Sequence, residues 1–373
     1  MQKVQPSRTF NRRDALKLAG LAGVTALGSY ALYEYAPWLN YEEAATQARR
    51  AFTPSELLPA QMLEMVRFAS LAASGHNTQP WKFAVRNSAI EIRPDFSRRL
   101  KAVDPNNREL WISLGCALEN LLIAARAAGF APQVTYPDTL ERISVSLTPD
   151  RPQPSARFDA IPRRQNTRSD YDGQAITPNA LARVRAVPLE PDVTLRFILE
   201  PAGLASVLEY ISLGNLSQYA DQAFVAELTD WLRFTKKEAL ATRDGLYSGA
   251  SGNPSVPRWI GQMFVAGTTP QQQADGDAKK LRSSSGAVIV ASSADTRSAW
   301  VRVGQVYERL ALEMTALDIR SAFLNQPIEV AGLRGQFQNA MKLESALPQL
   351  LMRFGHADPM PRSLRRPIEE MLI

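Results

Sequence analysis

The chain has 373 residues, 45% of them apolar and 21% charged, with a formal net charge of +6. That is one large domain or two ordinary ones with ample core, and it excludes an intrinsically disordered chain. A single cysteine, Cys116, and two histidines, His76 and His356, exclude an intramolecular disulfide, thiolate-bound zinc, iron–sulfur clusters and histidine-rich metal sites. The positive charge is partly local: Lys3, Arg8, Arg12, Arg13 and Lys17 stand against Asp14 alone in the first 33 residues. No Lys/Arg stripe with interleaved aromatics follows, so a nucleic-acid partner is not expected. No P-loop, GxGxxG or HExxH motif is present. A bound organic cofactor is therefore the expected carrier of any chemistry.

In chain order, "TFNRRDALKLAGLAGVTALGSYALY" comes first, a basic pair followed by a weakly apolar run over residues 16–33. Arg12, Arg13, Leu16 and Lys17 match a twin-arginine export signal. Ser29-Tyr30-Ala31 offers a small-x-small cleavage site. Uncut, the run is close to the roughly 20 residues that span a bilayer and would tether the protein. An ordinary helix with a basic cap is the alternative. The export route carries folded proteins, which favours a tightly bound cofactor.

Residues 73–85, "ASGHNTQPWKFAV", follow: a small-residue turn dense in side-chain donors and acceptors, opening into a strand. Trp81 reads as core. Strands are expected over residues 82–86 and 90–93 with a turn at Asn87-Ser88, then over 143–147, 194–199, 287–291, 320–324 and 350–354. Residues 109–130 and 298–319 read as long helices that share a skeleton at a constant offset of 189: Trp111 with Trp300, Gly115 with Gly304, Glu119 with Glu308, Leu121 with Leu310. This points to a duplicated unit; two unrelated buried helices are the alternative. The glycines cost about 1 kcal/mol each against alanine, so a close helix approach is expected there. Residues 150–159 read as a Pro-rich linker, and 249–259 and 268–277 as long loops. Strands and helices alternate without a βαβ beat, so the fold class is α+β.

"SGHNTQPWKF", the Arg-rich "IPRRQNTRSDYDGQAI" (residues 161–176) and the closing "FGHADPMPRSLRRPIEEML" together resemble the nitroreductase family of FMN-binding proteins, over about residues 55–373. More closely, the chain resembles the acg-type branch, in which two nitroreductase-like halves are fused. The resemblance implies a nitroreductase-like α+β fold of two pseudo-symmetric halves, each with a mostly antiparallel sheet and packed helices. The divisions are 1–36 signal or anchor, 37–150 first half, 151–160 linker and 161–373 second half. The chain would then be a monomer mimicking a nitroreductase dimer.

FMN is the implied cofactor. Ser74, His76, Asn77 and Gln79 would meet the flavin ring edge or ribityl chain. Arg163, Arg164, Asn166 and Arg168 would hold the phosphate side, with Arg365 or Arg366 from the C-terminus. Gln326, in "LNQPIEV", would lie near the flavin N5. Residues 243–252 read as a lid or a plain loop. The first half shows no clear Arg-rich partner, Arg49-Arg50 being at best a remnant. The second half lacks Asn-x-Gln-Pro-Trp before its first strand. One FMN pocket per chain is expected, and no side chain stands out as a catalytic acid or base.

The function implied is an exported FMN-dependent oxidoreductase. It would pass electrons from a donor such as NAD(P)H to a nitroaromatic- or quinone-like small molecule. A flavin-binding or sequestering protein with little turnover is the alternative. A third reading is a membrane-tethered interaction protein with a degenerate site. The expected location is the periplasm or cell envelope, reached through the twin-arginine machinery.

Overall fold

The computed structural model describes residue 28, residues 38–137 and residues 141–373. Apart from residue 28, the export signal expected in residues 1–36 and its cleavage site lie outside the described residues.

The first part contains α1 (Trp38–Ala48), α2 (Leu58–Ala69), β1 (Trp81–Arg86), β2 (Ala89–Pro94), α3 (Arg108–Ala127), β3 (Phe130–Thr135) and β4 (Ile143–Pro149). Then come α4 (Ala156–Ala160), α5 (Pro178–Arg185), β5 (Val193–Ile198), α6 (Pro201–Ala220), α7 (Gln222–Trp231), β6 (Leu232–Arg233), α8 (Lys236–Thr242) and β7 (Leu246–Tyr247). The last part holds α9 (Arg258–Gly267), α10 (Pro270–Arg282), β8 (Gly286–Ser292), α11 (Arg297–Ala316), β9 (Arg320–Phe323), α12 (Gln326–Glu329), α13 (Ala331–Ala340) and β10 (Leu347–Gly355).

Two four-stranded antiparallel sheets result, ordered β1-β2-β4-β3 and β5-β8-β10-β9. In each, the first, second, fourth and third strands lie side by side, and one long helix joins the second strand to the third. The insertion of α6 to α10 between β5 and β8 replaces the tight turn between β1 and β2. β8 is buried along its whole length. Its alternate residues face two cores, Val288 and Val290 one way and Ala287, Ile289 and Ala291 the other, as the two-residue period of a strand requires.

The two long helices, α3 and α11, cross at the centre of the main core. A Cβ added to Gly115 would stand 2.0 Å from the Val301 carbonyl oxygen. One added to Gly304 would stand 2.0 Å from the Ile112 carbonyl oxygen. The shared glycines thus mark where the two copies of the skeleton touch, and only a residue without a side chain fits there. α3 is also long and apolar enough to cross a membrane, but 89% of its most apolar window is buried inside the fold, which makes it a core helix.

Each sheet region is closed by chain from the other end of the sequence. The C-terminus returns beside β1, where Phe83 N donates to the Met371 carbonyl at 2.7 Å and Ile373 N to the Phe83 carbonyl at 2.9 Å. α1 packs on the insertion, with Tyr41 and Tyr247 ring centroids 5.0 Å apart.

Two expectations need correction. The stretch read as a linker holds α4, capped by Ser155 accepting from Phe158 N. Phe158 stacks on Phe68 at 5.0 Å, so an apolar anchor folds the segment onto α2. Residues 268–277, read as a loop because they are polar, lie mostly in α10. A capping box opens that helix: Thr269 accepts from the Gln272 backbone and the Gln272 side chain accepts from Thr269 N. The Thr-x-x-Gln pattern was the signal; polarity reflects only the exposed face.

Candidate functional site: a crevice with a cationic end

The loop between α2 and β1 is held in an uncommon backbone conformation. His76, Asn77 and Gln79 have φ of 48°, 54° and 52°, the left-handed region that residues with a Cβ rarely adopt. Its supports come from far along the chain. Asn77 Nδ2 donates to the Gly245 and Leu364 carbonyls at 3.1 and 3.3 Å, and its Oδ1 accepts from Arg365 at 2.9 Å. Gln79 Nε2 donates to the Arg243 carbonyl at 2.9 Å, and its Oε1 accepts from Arg366 N at 2.9 Å. Gln79 is 0% exposed. The expectation that these two amides face a flat ligand is therefore corrected: both are spent on holding the loop to residues 243–245 and to the C-terminal segment. The same bonds pin the region read as a possible lid.

Two adjoining cavities open beside this loop, sharing Ala73, Ser74, Asn166, Arg168 and Leu246 in their walls. The larger, of about 210 Å³, runs from Ser74 and His76 to Asn325, Gln326 and Glu329. The smaller, of about 40 Å³, is walled by Arg49, Arg164, Arg168 and Arg365. Residues of both halves thus line one crevice. His76 sits in its wall, and burial, reinforced by Arg168, pushes the imidazole down to about 4. It is neutral at physiological pH, with one donor and one acceptor nitrogen.

The four arginines differ in what holds them. Arg164 is buried, forms an ion pair with Glu308 at 2.8 Å and donates to the Leu71 carbonyl at 3.1 Å. Arg365 donates to the carbonyls of Ser70, Leu71 and Ala72 at 3.0–3.1 Å. It thereby satisfies carbonyls left open just beyond the C-terminus of α2. Arg49 donates to the Ala45 and Ser363 carbonyls. Arg168 makes no hydrogen bond or ion pair among the described residues. Burial, then the neighbouring guanidinium groups, pushes Arg49 well below its ordinary range and Arg365 to about 9. Burial likewise lowers Arg168. Cations that burden one another in a common pocket are what an anion would relieve. Arg49, discounted from the sequence, belongs to this wall; α1 carries it there from far outside the Arg-rich segment.

Of the other sequence candidates, Asn166 lines both cavities and accepts from the Tyr307 hydroxyl at 3.2 Å. Arg163 points to solvent and lies 3.6 Å from exposed Asp318; it is not part of the crevice. Gln326 reaches the far end, where its Nε2 donates to Asp277 at 2.8 Å while its buried Oε1 has no partner. Trp81 is core, 0% exposed. Glu109 and Glu329, which the sequence did not single out, both line the larger cavity. They lie more than two hundred positions apart, and no local pattern links them.

No protein-family model matches the sequence. Among curated relatives, "Putative NAD(P)H nitroreductase Rv3131" of Mycobacterium tuberculosis (strain ATCC 25618 / H37Rv) is 29% identical over 324 residues, 83% of this chain and 90% of that protein. "Putative NAD(P)H nitroreductase acg" of the same organism is 26% identical over 324 residues, 82% of this chain and 93% of that protein. The chain is similar to the acg-type nitroreductases. Among solved structures, the FMN- and NADPH-dependent nitroreductase NfnB from a Sphingopyxis strain covers 59% of this chain and 98% of its own, with 14% identity and a TM-score of 0.38. Both likenesses cover more than four-fifths of the chain.

Proposed function

We propose that this acg-type protein is an FMN-dependent oxidoreductase that draws electrons from a reduced nicotinamide donor and passes them to a nitroaromatic- or quinone-like acceptor. The observation that carries the reading is the cationic end of the crevice: Arg168 aims an unpartnered guanidinium into a pocket where Arg49, Arg164 and Arg365 already burden one another. A phosphate matches that donor set, because a guanidinium presents a planar fork to its oxygens. Gln326, with its orphaned Oε1 at the other end, suits a ring N–H. The relatives' names support the nicotinamide-driven activity.

In this reading Arg168, Asn166 and Ser74 bind the phosphate and ribityl side. Arg164 and Arg365 fix the carbonyls of residues 70–72 and thereby the loop that carries Ser74 and His76. Neutral His76 contributes a hydrogen bond without adding charge beside Arg168. The bound flavin would supply the redox chemistry; the protein orients it and shields it from water. Residues 37–150 and 161–373 act as two halves of one site, and residues 1–36 direct the chain to the cell envelope.

The test is the absorbance spectrum of the full-length protein as purified, followed by release and identification of the chromophore. A colourless protein that does not take up FMN ends the proposal. Anaerobic mixing with NADH or NADPH then tests turnover. Bleaching of the flavin is expected; a flavin that neither nucleotide reduces leaves a flavin-holding protein instead. Fractionation of cells expressing the chain with Arg12→Lys and Arg13→Lys tests export, with retention in the cytoplasm expected.

A further inference from the structure

α9 turns its apolar side outward. The helix, "RWIGQMFVAG", carries one charged residue, Arg258, which pairs with Glu238 at 3.3 Å and donates to the Leu232 carbonyl at 3.0 Å. It is seated on the fold at Gly261, its one buried residue, where an added Cβ would stand 2.0 Å from the Phe234 ring. At 3.6 residues per turn, Trp259, Met263 and Ala266 lie on the side opposite Gly261. Their spacing of i, i+4 and i+7 is the apolar stripe of a helix that buries one face. Yet Trp259 is 61% exposed, Met263 66% and the adjacent Phe264 64%. Among the described residues no other helix exposes three large apolar side chains. Scattered single side chains of this kind are ordinary, whereas a cluster marks an interaction surface.

The point where the chain enters the fold indicates what this face meets. α1 and α9 are both fastened to the first turn of α8: Lys236 pairs with Glu42 of α1 at 3.1 Å, and Glu238 with Arg258 of α9. Ahead of α1 stands the weakly apolar run of residues 16–33, separated from Trp38 by residues 34–37 alone, a reach of at most roughly 18 Å. A run held in a bilayer therefore brings α8, and α9 with it, to the bilayer surface. We propose that α9 lies in the lipid–water interface, with Trp259, Met263 and Phe264 among the lipid chains. The inference rests on the reading of residues 1–36 as the segment that directs the chain to the cell envelope, with the apolar run retained as a tether. Lipid suits the face better than a protein partner. The stripe carries no charge and, apart from the Trp259 indole, no hydrogen-bonding side chain, so nothing on it specifies a partner's surface. A fluid apolar phase needs only apolar area, and an indole is at home at headgroup level.

The test places a nitroxide label at Met263→Cys in the full-length protein, incorporated into phosphatidylcholine vesicles; neutral lipid suffices because the stripe is uncharged. Cys116 is buried, so labelling is selective. Flotation of the chain with the vesicles reads the tether. Collisions of the label with oxygen and with an aqueous nickel chelate read the place of α9. The label should be open to oxygen, closed to nickel and about 5–10 Å into the headgroup–acyl boundary. A label at Leu189→Cys, exposed in the loop before β5, should stay open to nickel. Trp259→Ser/Phe264→Ser, both at exposed positions, should return the Met263→Cys label to water while the chain still floats. A label open to nickel in a floating chain overturns the proposal and leaves the tether standing. A label closed to both oxygen and nickel means that protein covers the face, whether a second copy or residues 1–36, and overturns it as well. So does a label that the double variant leaves in lipid. A chain that does not float sinks the tether and the proposal together.

Discussion

Arg164 and Arg168 stand four positions apart in one Arg-rich segment, yet the fold gives them different tasks. Arg164 is tied to Glu308 in the core, so Arg164→Ala leaves a buried carboxylate without its cation. That should cost about 3–5 kcal/mol, read as a lower urea midpoint. Arg168 holds nothing in the protein, so Arg168→Ala should unfold at the same urea concentration. Losing a charge-assisted contact worth about 1.5–3 kcal/mol, it should bind FMN roughly ten- to a hundredfold more weakly, measured as flavin retained after dialysis. His76 makes a pH prediction. Its pKa is about 4 in the folded chain against 6.5 ordinarily, so the unfolded chain binds more protons between those values. Stability should therefore fall as pH drops from 6.5 towards 4, and His76→Gln should flatten that part of the curve in denaturation titrations. The sequence named His76, Arg164 and Arg168; it did not separate the ligand-facing arginine from the structural one, because that depends on which residue Glu308 reaches.

At the level of elements, the crossing of α3 and α11 decides how the halves meet. Gly115→Ala or Gly304→Ala would drive a methyl into a backbone carbonyl of the partner helix. Either should lower stability by about 1–3 kcal/mol, the range for overpacking. Gly276→Ala in α10 is the control: its added methyl meets nothing within 4 Å. It should be neutral or stabilising by up to about 1 kcal/mol through helix propensity. Thermal and urea unfolding of the three variants check both expectations. The glycine positions were legible because the skeleton repeats at a fixed offset. α10 was not recognised, since its polar face resembles a loop until the cap is noticed. β3 escaped for another reason: "FAPQVT" carries a proline and half-exposed side chains and follows the long helix with almost no break.

For the whole molecule, the shared strand order raises the question of a second site. Glu119 is the counterpart of Glu308 in the first copy of the skeleton. Where Glu308 meets Arg164 beneath the crevice, Glu119 meets Arg309 at 2.8 Å, and Arg309 also binds Glu190 at 2.8 Å and the Pro188 carbonyl. The loop before β5 therefore closes over its own ion network, with two carboxylates to one guanidinium, an arrangement that disfavours a phosphate there. One flavin per chain is expected; titration of FMN against chain concentration reaching a ratio of two would refute it.

The sequence by itself determined the α+β class, seven of the eight strands of the two four-stranded sheets, the repeated helix with its glycines and the segments that build the crevice, because these follow from local periodicity and residue chemistry. Tertiary structure alone decided which side chains are free. Asn77 and Gln79 are consumed by residues 243–245 and the C-terminal segment, Arg49 is delivered by α1, and Glu109 and Glu329 come from different halves to line one cavity. Hydrogen-bond saturation and charge pairing depend on partners hundreds of positions away, and no local pattern encodes them.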